Sequence, residues 1–262
     1  MTGRIASALS LIALALGLAA CGGDGGSTTA SETTTTFDTD TTVTTTTSEE
    51  TTKLRVYFLL NDKVQPVARE VPKTRAVAQA ALDELAAGTT ASEGELGMTS
   101  DASFDISGVT IDGGIATLEG TAPSSRTGLA QVVYTLTQFP TVEQVEIDGT
   151  RYTRADFEDE TPAILVESPL PFETVGNPLR AKGTANTFEA NFEYEVVEPE
   201  GRIVDTHFVT ATSGSGTRGT FDFTSRPYEI SREGLGALIV LERSAKDGSR
   251  INLVEIPVQM ER

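Results

Sequence analysis

The second half of the chain is constrained most strongly by a two-residue repeat of its apolar side chains. From Phe188 to Val196 apolar and polar residues alternate at every step. Because successive side chains of a strand point to opposite faces, this pattern predicts a strand with one buried and one wet face. Six further strands are predicted at residues 164–167, 179–185, 202–211, 219–224, 237–243 and 251–259. Short strands separated by turn signals, without a helix, predict an antiparallel β-sandwich over residues 163–262.

The first half mixes strand and helix patterns and predicts an α+β domain over residues 53–152. Two helices are predicted from apolar residues that recur every three or four positions. The first begins near Val77 and ends at Gly88, and the second is capped by Ser124 or Ser125 and runs to Phe139. Strands are predicted at residues 54–60, 67–71, 108–112, 115–119 and 142–147. The order ββαββαβ favours two helices on one face of a small sheet.

The two halves are joined by a charged stretch, residues 153–162. The carboxylate run from Asp156 to Glu160 lacks the alternating ligands and glycine of an EF-hand loop. We therefore interpret it as a solvated hinge and not as a calcium site.

Residues 21–52 form a Thr-rich segment of low complexity. Beyond Ala30, Phe37 and Val43 it has almost no apolar side chains. Because such a composition cannot bury a core, we predict a disordered tether.

Residues 1–20 have the pattern of a bacterial secretory signal, with Arg4 followed by an uncharged apolar run. The sequence Leu18-Ala-Ala-Cys21 resembles the lipobox of bacterial lipoproteins. That resemblance implies cleavage before Cys21, acylation of its sulfur, and attachment to the extracytoplasmic face of the cell membrane. The alternative is an ordinary signal peptide that leaves a free extracellular thiol. Cys21 is the only cysteine, so no disulfide is expected in the folded part.

The formal net charge of −18 limits the partners that the protein is expected to bind. A phosphate backbone requires a face rich in lysine and arginine, so nucleic acid is excluded as a partner. Attachment to anionic lipids through a polybasic patch is disfavoured for the same reason.

Several stretches resemble two families that occur together in bacterial envelopes. Leu85-Ala-Ala-Gly88 and Leu129-Ala-Gln-Val-Val-Tyr-Thr-Leu-Thr-Gln-Phe-Pro140 resemble the GerMN domain of sporulation and spore germination proteins. Ser168-Pro169 and Ser244-Ala-Lys-Asp-Gly-Ser-Arg250 resemble the Ig-like domain of bacterial spore germination. The resemblance implies a germination-related envelope lipoprotein without assigned catalytic residues. GerMN domains are also similar to ring-building domains of secretion-like assemblies, which implies a scaffold.

Catalytic patterns are weak throughout the folded part. The single histidine, His207, cannot supply both a metal site and a base. Residues 214–219 spell G-x-G-x-x-G, but strand residues follow where a dinucleotide site requires a helix. The carboxylate pair Asp83-Glu84 is predicted on a solvated helix face. We therefore predict a non-enzyme with no catalytic residue, no cofactor and no metal.

The sequence favours a membrane-anchored scaffold that binds an envelope protein or a cell-wall partner. The alternative is a sensor that binds peptidoglycan or a small ligand, and a cell-wall hydrolase is the least favoured. Sheet edges are the expected contact surfaces because their backbone groups are unpaired. Residues 99–104, 122–128 and 213–218 are candidate contact loops.

Overall fold

The computed structural model describes residues 50–262 of the chain. The signal segment, Cys21 and most of the Thr-rich segment lie outside the described residues. Strand β1 begins at Thr51, so regular structure starts before the predicted end of the tether at residue 52.

The first domain opens with a hairpin of β1 (Thr51–Leu60) and β2 (Lys63–Pro72). Asn61 and Asp62 both have a φ near +55°, at 53° and 60°, as a two-residue hairpin turn requires. The remaining elements are α1 (Val77–Ala87), α2 (Ala91–Glu95), β3 (Asp105–Asp112), β4 (Ile115–Thr121), α3 (Arg126–Leu136), β5 (Gln144–Ile147) and β6 (Thr150–Tyr152). Helix α3 starts at the predicted cap, because the Ser125 hydroxyl accepts the Gly128 N–H at 3.0 Å.

The strands of this domain are divided between two sheets, whereas the sequence predicted one. β1 and β2 form one sheet, and β3, β4, β5 and β6 form the other in that order. On the outer edge of β1, Leu59 exchanges two backbone hydrogen bonds with Thr99, and the backbone groups of Arg55 and Tyr57 are bonded by the side chains of Gln131, Thr135 and Gln138. Helices α1 and α3 pack on β1 and on each other. Both helices therefore share one core with the hairpin.

The second domain is the predicted β-sandwich. Its strands are β7 (Ile164–Ser168), β8 (Thr174–Val175), β9 (Arg180–Ala185), β10 (Asn191–Val197), β11 (Ile203–Thr210), β12 (Gly219–Thr224), β13 (Gly234–Arg243) and β14 (Arg250–Met260). One sheet has the order β11-β10-β13-β14-β8 and the other β12-β9-β7. The β8–β14 pair is parallel and the other pairs are antiparallel. The α+β domain followed by an all-β sandwich confirms the predicted fold class.

The predicted strand from residue 188 is wrong at its start. Phe188–Ala190 is a 3-10 turn, and the Phe188 side chain is 68% exposed. The Phe188 N–H donates to the Glu242 carboxylate at 3.0 Å, and the Ala190 N–H closes the turn on Thr187. These hydrogen bonds replace strand pairing, so the strand begins only at Asn191.

The solvated hinge is also a wrong prediction. Arg154–Glu160, called the connecting segment below, forms two 3-10 turns with a kink at Phe157. Its Phe157 is fully buried, with its ring 5.7 Å from that of Tyr152. One apolar side chain inside a charged run therefore fixes the segment to the core of the first domain.

Candidate functional site

A cluster of four polar and aromatic side chains joins the two domains. It consists of Tyr57 on β1, Tyr134 on α3, Arg154 in the connecting segment and Glu167 on β7, and is called the junction cluster. Arg154 donates from Nη1 to Glu167 Oε1 at 2.8 Å, and the Tyr57 hydroxyl donates to the same oxygen. The Arg154 guanidinium lies 4.6 Å from the centroid of the Tyr134 ring and 5.5 Å from that of Tyr57. Ion pairing and cation–π contacts thus converge on one arginine.

Burial and charge together set the protonation of the junction cluster. Burial raises the pKa of the Tyr57 phenol, so it remains a neutral donor. Burial also pushes up the pKa of the Glu167 carboxyl, but the Arg154 charge and hydrogen bonds outweigh this effect and lower that pKa overall. Tyr57 is 0% and Tyr134 1% exposed. Because neither ring is open to a substrate, the cluster connects the domains and does not present reactive groups.

The connecting segment is held by arginines of both domains. Arg126, at the start of α3, donates to Glu160 at 2.7 Å. Arg218, in the second domain, donates to Glu158 at 2.9 Å through Nε and to the Pro162 carbonyl at 2.9 Å. The described residues, 50–262, accordingly belong to one compact unit.

A groove of about 680 Å³ lies between the two domains. It is called the interdomain groove, and its walls come from the β1–β2 turn, α2 with the loop after it, the residues before β7, and β14. Its lining residues are Leu60, Asn61, Lys63, Val64, Gln65, Glu95, Leu96, Met98, Pro162, Ala163, Asn252, Leu253, Val254, Glu255 and Pro257. Leu96 and Leu253 are 36% and 45% exposed. The groove therefore offers apolar surface to a binding partner.

One wall of the groove is positioned by an ion pair between Arg69 and Glu93. The two side chains make a bidentate contact, with distances of 2.6 and 2.8 Å. Glu93 also closes a capping box with Thr90 at the start of α2. Burial raises the pKa of the Glu93 carboxyl, but hydrogen bonds from Arg69 and Thr90 outweigh it, and the net pKa is lowered. A charged pair thus fixes a helix of only five residues, and with it Leu96.

Two family models match consecutive parts of the chain. The model described as sporulation and spore germination matches residues 55–153. The model described as the immunoglobulin-like domain of bacterial spore germination matches residues 163–249. The chain carries a GerMN domain followed by an Ig-like spore-germination domain. The connecting segment fills the interval between the two matches.

Among solved structures, the chain is similar to the tandem GerMN domains of the sporulation protein GerM from Bacillus subtilis. The identity is 29% and the TM-score 0.32, over 36% of this chain and 37% of that chain. The match thus spans less than two thirds of the length of that structure. No curated protein matches the chain.

Two of the three candidate contact loops lie together in the GerMN domain. The Thr127 hydroxyl donates to the Asp101 carboxylate at 2.5 Å, and the Asp101 N–H donates to Gln131 at 2.8 Å. Loop 213–218 belongs to the Ig-like domain and folds back on its own neighbours, where Ser215 N–H donates to the Thr187 carbonyl at 2.9 Å. None of the three loops lines the interdomain groove. Their role as contact surfaces stays a prediction.

The residues considered for catalysis are not brought together. His207 is exposed on β11, and its Nδ1 accepts the Phe208 N–H at 2.8 Å. The glycine-rich residues 214–219 lead into strand β12, as predicted. Within residues 50–262, no group of three or more histidine, cysteine, aspartate or glutamate side chains is placed to hold a metal ion. No helix in that range is long and apolar enough to cross a membrane.

Sequence reasoning missed the junction cluster and the interdomain groove. Arg154 and Glu167 lie in charged or strand-like stretches with no local motif. Helix α2 could have been predicted, because Thr90 and Glu93 have the spacing of a capping box. Its five residues are too few to give a helical repeat, so periodicity does not detect it.

Proposed function

We propose that this protein is a membrane-anchored, non-catalytic lipoprotein of the bacterial envelope, in which two germination-family domains act as one rigid scaffold for a protein partner. The observation that carries the proposal is the junction cluster. The half-buried Arg154–Glu167 pair and its two tyrosines connect the GerMN and Ig-like domains. Because the groove is already formed, binding of a partner does not incur the free-energy cost of ordering the two domains.

Membrane attachment is part of this proposal and rests on Cys21 and the apolar run before it. Replacement of Cys21 by alanine should move the protein from the membrane fraction to the medium or the soluble fraction. Replacement of Ser27 by alanine, a few residues further on, is the matched control and should leave the protein in the membrane fraction. Efficient membrane retention of the Cys21→Ala protein would contradict attachment through this cysteine.

The partner is tested by crosslinking in cells from a photoreactive residue placed in the groove. Leu253 lines the groove and is 45% exposed, whereas Phe188 is 68% exposed and lies outside the groove lining. We expect a reproducible protein adduct from position 253 and none from position 188. Equal adducts from both positions would show that the groove does not select the partner.

A sensor for peptidoglycan fragments or another small ligand is the second candidate. The volume of the groove, about 680 Å³, falls within the usual range of small-ligand pockets. Enrichment of muropeptides, with no protein adduct from position 253, would favour this candidate.

A further inference from the structure

We propose that the interdomain groove accepts one extended segment of a partner protein, which adds as a strand along β14 and places a basic side chain near Glu95 and Glu255. This inference rests on the proposed function, because it names the chemistry of the partner that the scaffold holds. Two features of the groove support it, and both are independent of the family matches.

The first feature is an open sheet edge along β14. Residues 174–175 of β8 pair only with Gln259 and Met260 of β14. The Pro257 carbonyl accepts the Phe172 N–H, and the Gln259 N–H donates to the Glu173 carbonyl, so these groups point away from β13. The backbone groups of every second residue in a strand point to the same side. The N–H and C=O of Glu255 therefore also point away from β13. Within residues 50–262 neither group has a hydrogen-bond partner.

The second feature is the charge of the groove. Glu95 and Glu255 form no ion pair within residues 50–262. Lys63 is the cation in the lining, and it donates to the Asp159 carbonyl. Two carboxylates beside apolar Leu96 and Leu253 favour a segment in which basic and apolar residues alternate.

A saccharide fits the same space less well. The described lining contains no aromatic side chain, so no ring is present on which a sugar could stack. Open backbone edges, in contrast, are the recognition element of strand addition. The occupant that matches the lining is therefore an extended peptide.

The test uses the full chain and a capped decapeptide of alternating lysine and valine, with binding measured by calorimetry. Three comparison ligands are the same peptide N-methylated at every second amide, an alternating glutamate and valine decapeptide, and a disaccharide muropeptide. We expect the lysine peptide to bind at least tenfold more tightly than each of them and to slow hydrogen exchange at residues 253–256. No binding of the lysine peptide at millimolar concentration, or equal binding of its N-methylated form, would overturn strand addition.

Protein variants separate the backbone contribution from the charge contribution. Glu255→Pro removes the outward N–H without removing a bond to β13 and should weaken binding at least tenfold. Glu255→Gln keeps the N–H and should weaken binding only a few-fold. Glu229→Gln, at an exposed carboxylate outside the groove lining, should have no effect. Equal binding by Glu255→Pro and the Glu229→Gln control would overturn the role of the β14 edge.

Thermal unfolding is measured for Glu255→Pro as well as for Glu255→Gln, and unaltered unfolding shows that a loss of binding is not a loss of folding. Crosslinking from position 253 remains a separate test of the scaffold. A protein adduct there, together with equal peptide binding by Glu255→Pro and wild type, would retain the scaffold and remove strand addition.

Discussion

Arg154 and Glu167 form an ion pair of 2.8 Å between the connecting segment and the first strand of the Ig-like domain. Their side chains are 27% and 16% exposed, so water screens the pair only partly. Because Arg154 also stacks against Tyr134 of the GerMN domain, one side chain contacts both domains. Arg154 therefore fixes the two domains together with other contacts between them, such as Arg55, which donates to the Glu167 carbonyl, and Lys53, which pairs with Glu173.

Replacement of Arg154 by methionine should destabilise the folded protein by about 3 kcal/mol, because Glu167 is left without its counter-charge in a largely dry site. Chemical denaturation followed by fluorescence and circular dichroism measures the change. The matched control is Arg180→Met, which breaks a pair with Asp222 whose side chains are 60% and 44% exposed. That change should cost less than about 1 kcal/mol. Equal losses in the two variants would contradict a special role for Arg154.

The stability contributed by Glu167 should depend on pH. Its folded pKa is lowered, although burial acts in the opposite direction, by the Arg154 charge and by hydrogen bonds. The stabilisation that comes from a lowered folded pKa is fully present above the unfolded pKa of about 4.3. It is lost as the pH falls through the folded pKa. The difference in unfolding free energy between wild type and Glu167→Gln should therefore be constant above about pH 5 and shrink below it. A difference that stays constant down to pH 3 would show that Glu167 titrates normally.

Helix α2 should loosen when its ion pair is removed. In Glu93→Gln the bidentate contact with Arg69 is lost, and we expect faster hydrogen exchange at residues 94–98 and a loss of about 1–3 kcal/mol. Glu95→Gln on the same helix is the control and should change neither quantity, because Glu95 makes no ion pair within residues 50–262. Unchanged exchange in Glu93→Gln would mean that packing of Leu96 and Met98 alone holds the helix.

The sandwich should be sensitive to any side chain at Gly183. A Cβ there would lie 2.0 Å from the Leu165 carbonyl oxygen and 2.7 Å from the ring of Phe221. Gly183→Ala should therefore separate β7 from β9 and cost about 3 kcal/mol or more. Gly94→Ala is the control, because nothing lies within 4 Å of its Cβ position, and it should be neutral or slightly stabilising. Thermal unfolding of both variants measures the contrast.

The sequence correctly predicted the elements that are fixed by residues close to one another along the chain. The Ser125 cap, the end of α1 at Gly88 and the turn at Gly113 and Gly114 are all confirmed, because each depends on backbone groups within a few residues. The alternation from Phe192 onward is confirmed as β10 for the same reason. The prediction failed at Phe188, where the Glu242 side chain, 54 positions further on, accepts the backbone N–H.

The sequence by itself determined the two families, the order of the elements other than α2, β6 and β8, and the change from a mixed domain to a sandwich. Those properties depend on repeats and turn residues that are adjacent along the chain. Only the tertiary structure decided the junction cluster and the interdomain groove. Tyr57, Arg154 and Glu167 meet through contacts of up to 110 positions in sequence separation, and open strand edges are defined by the partners that a strand lacks. No local pattern encodes either property, because both arise only when distant segments pack together.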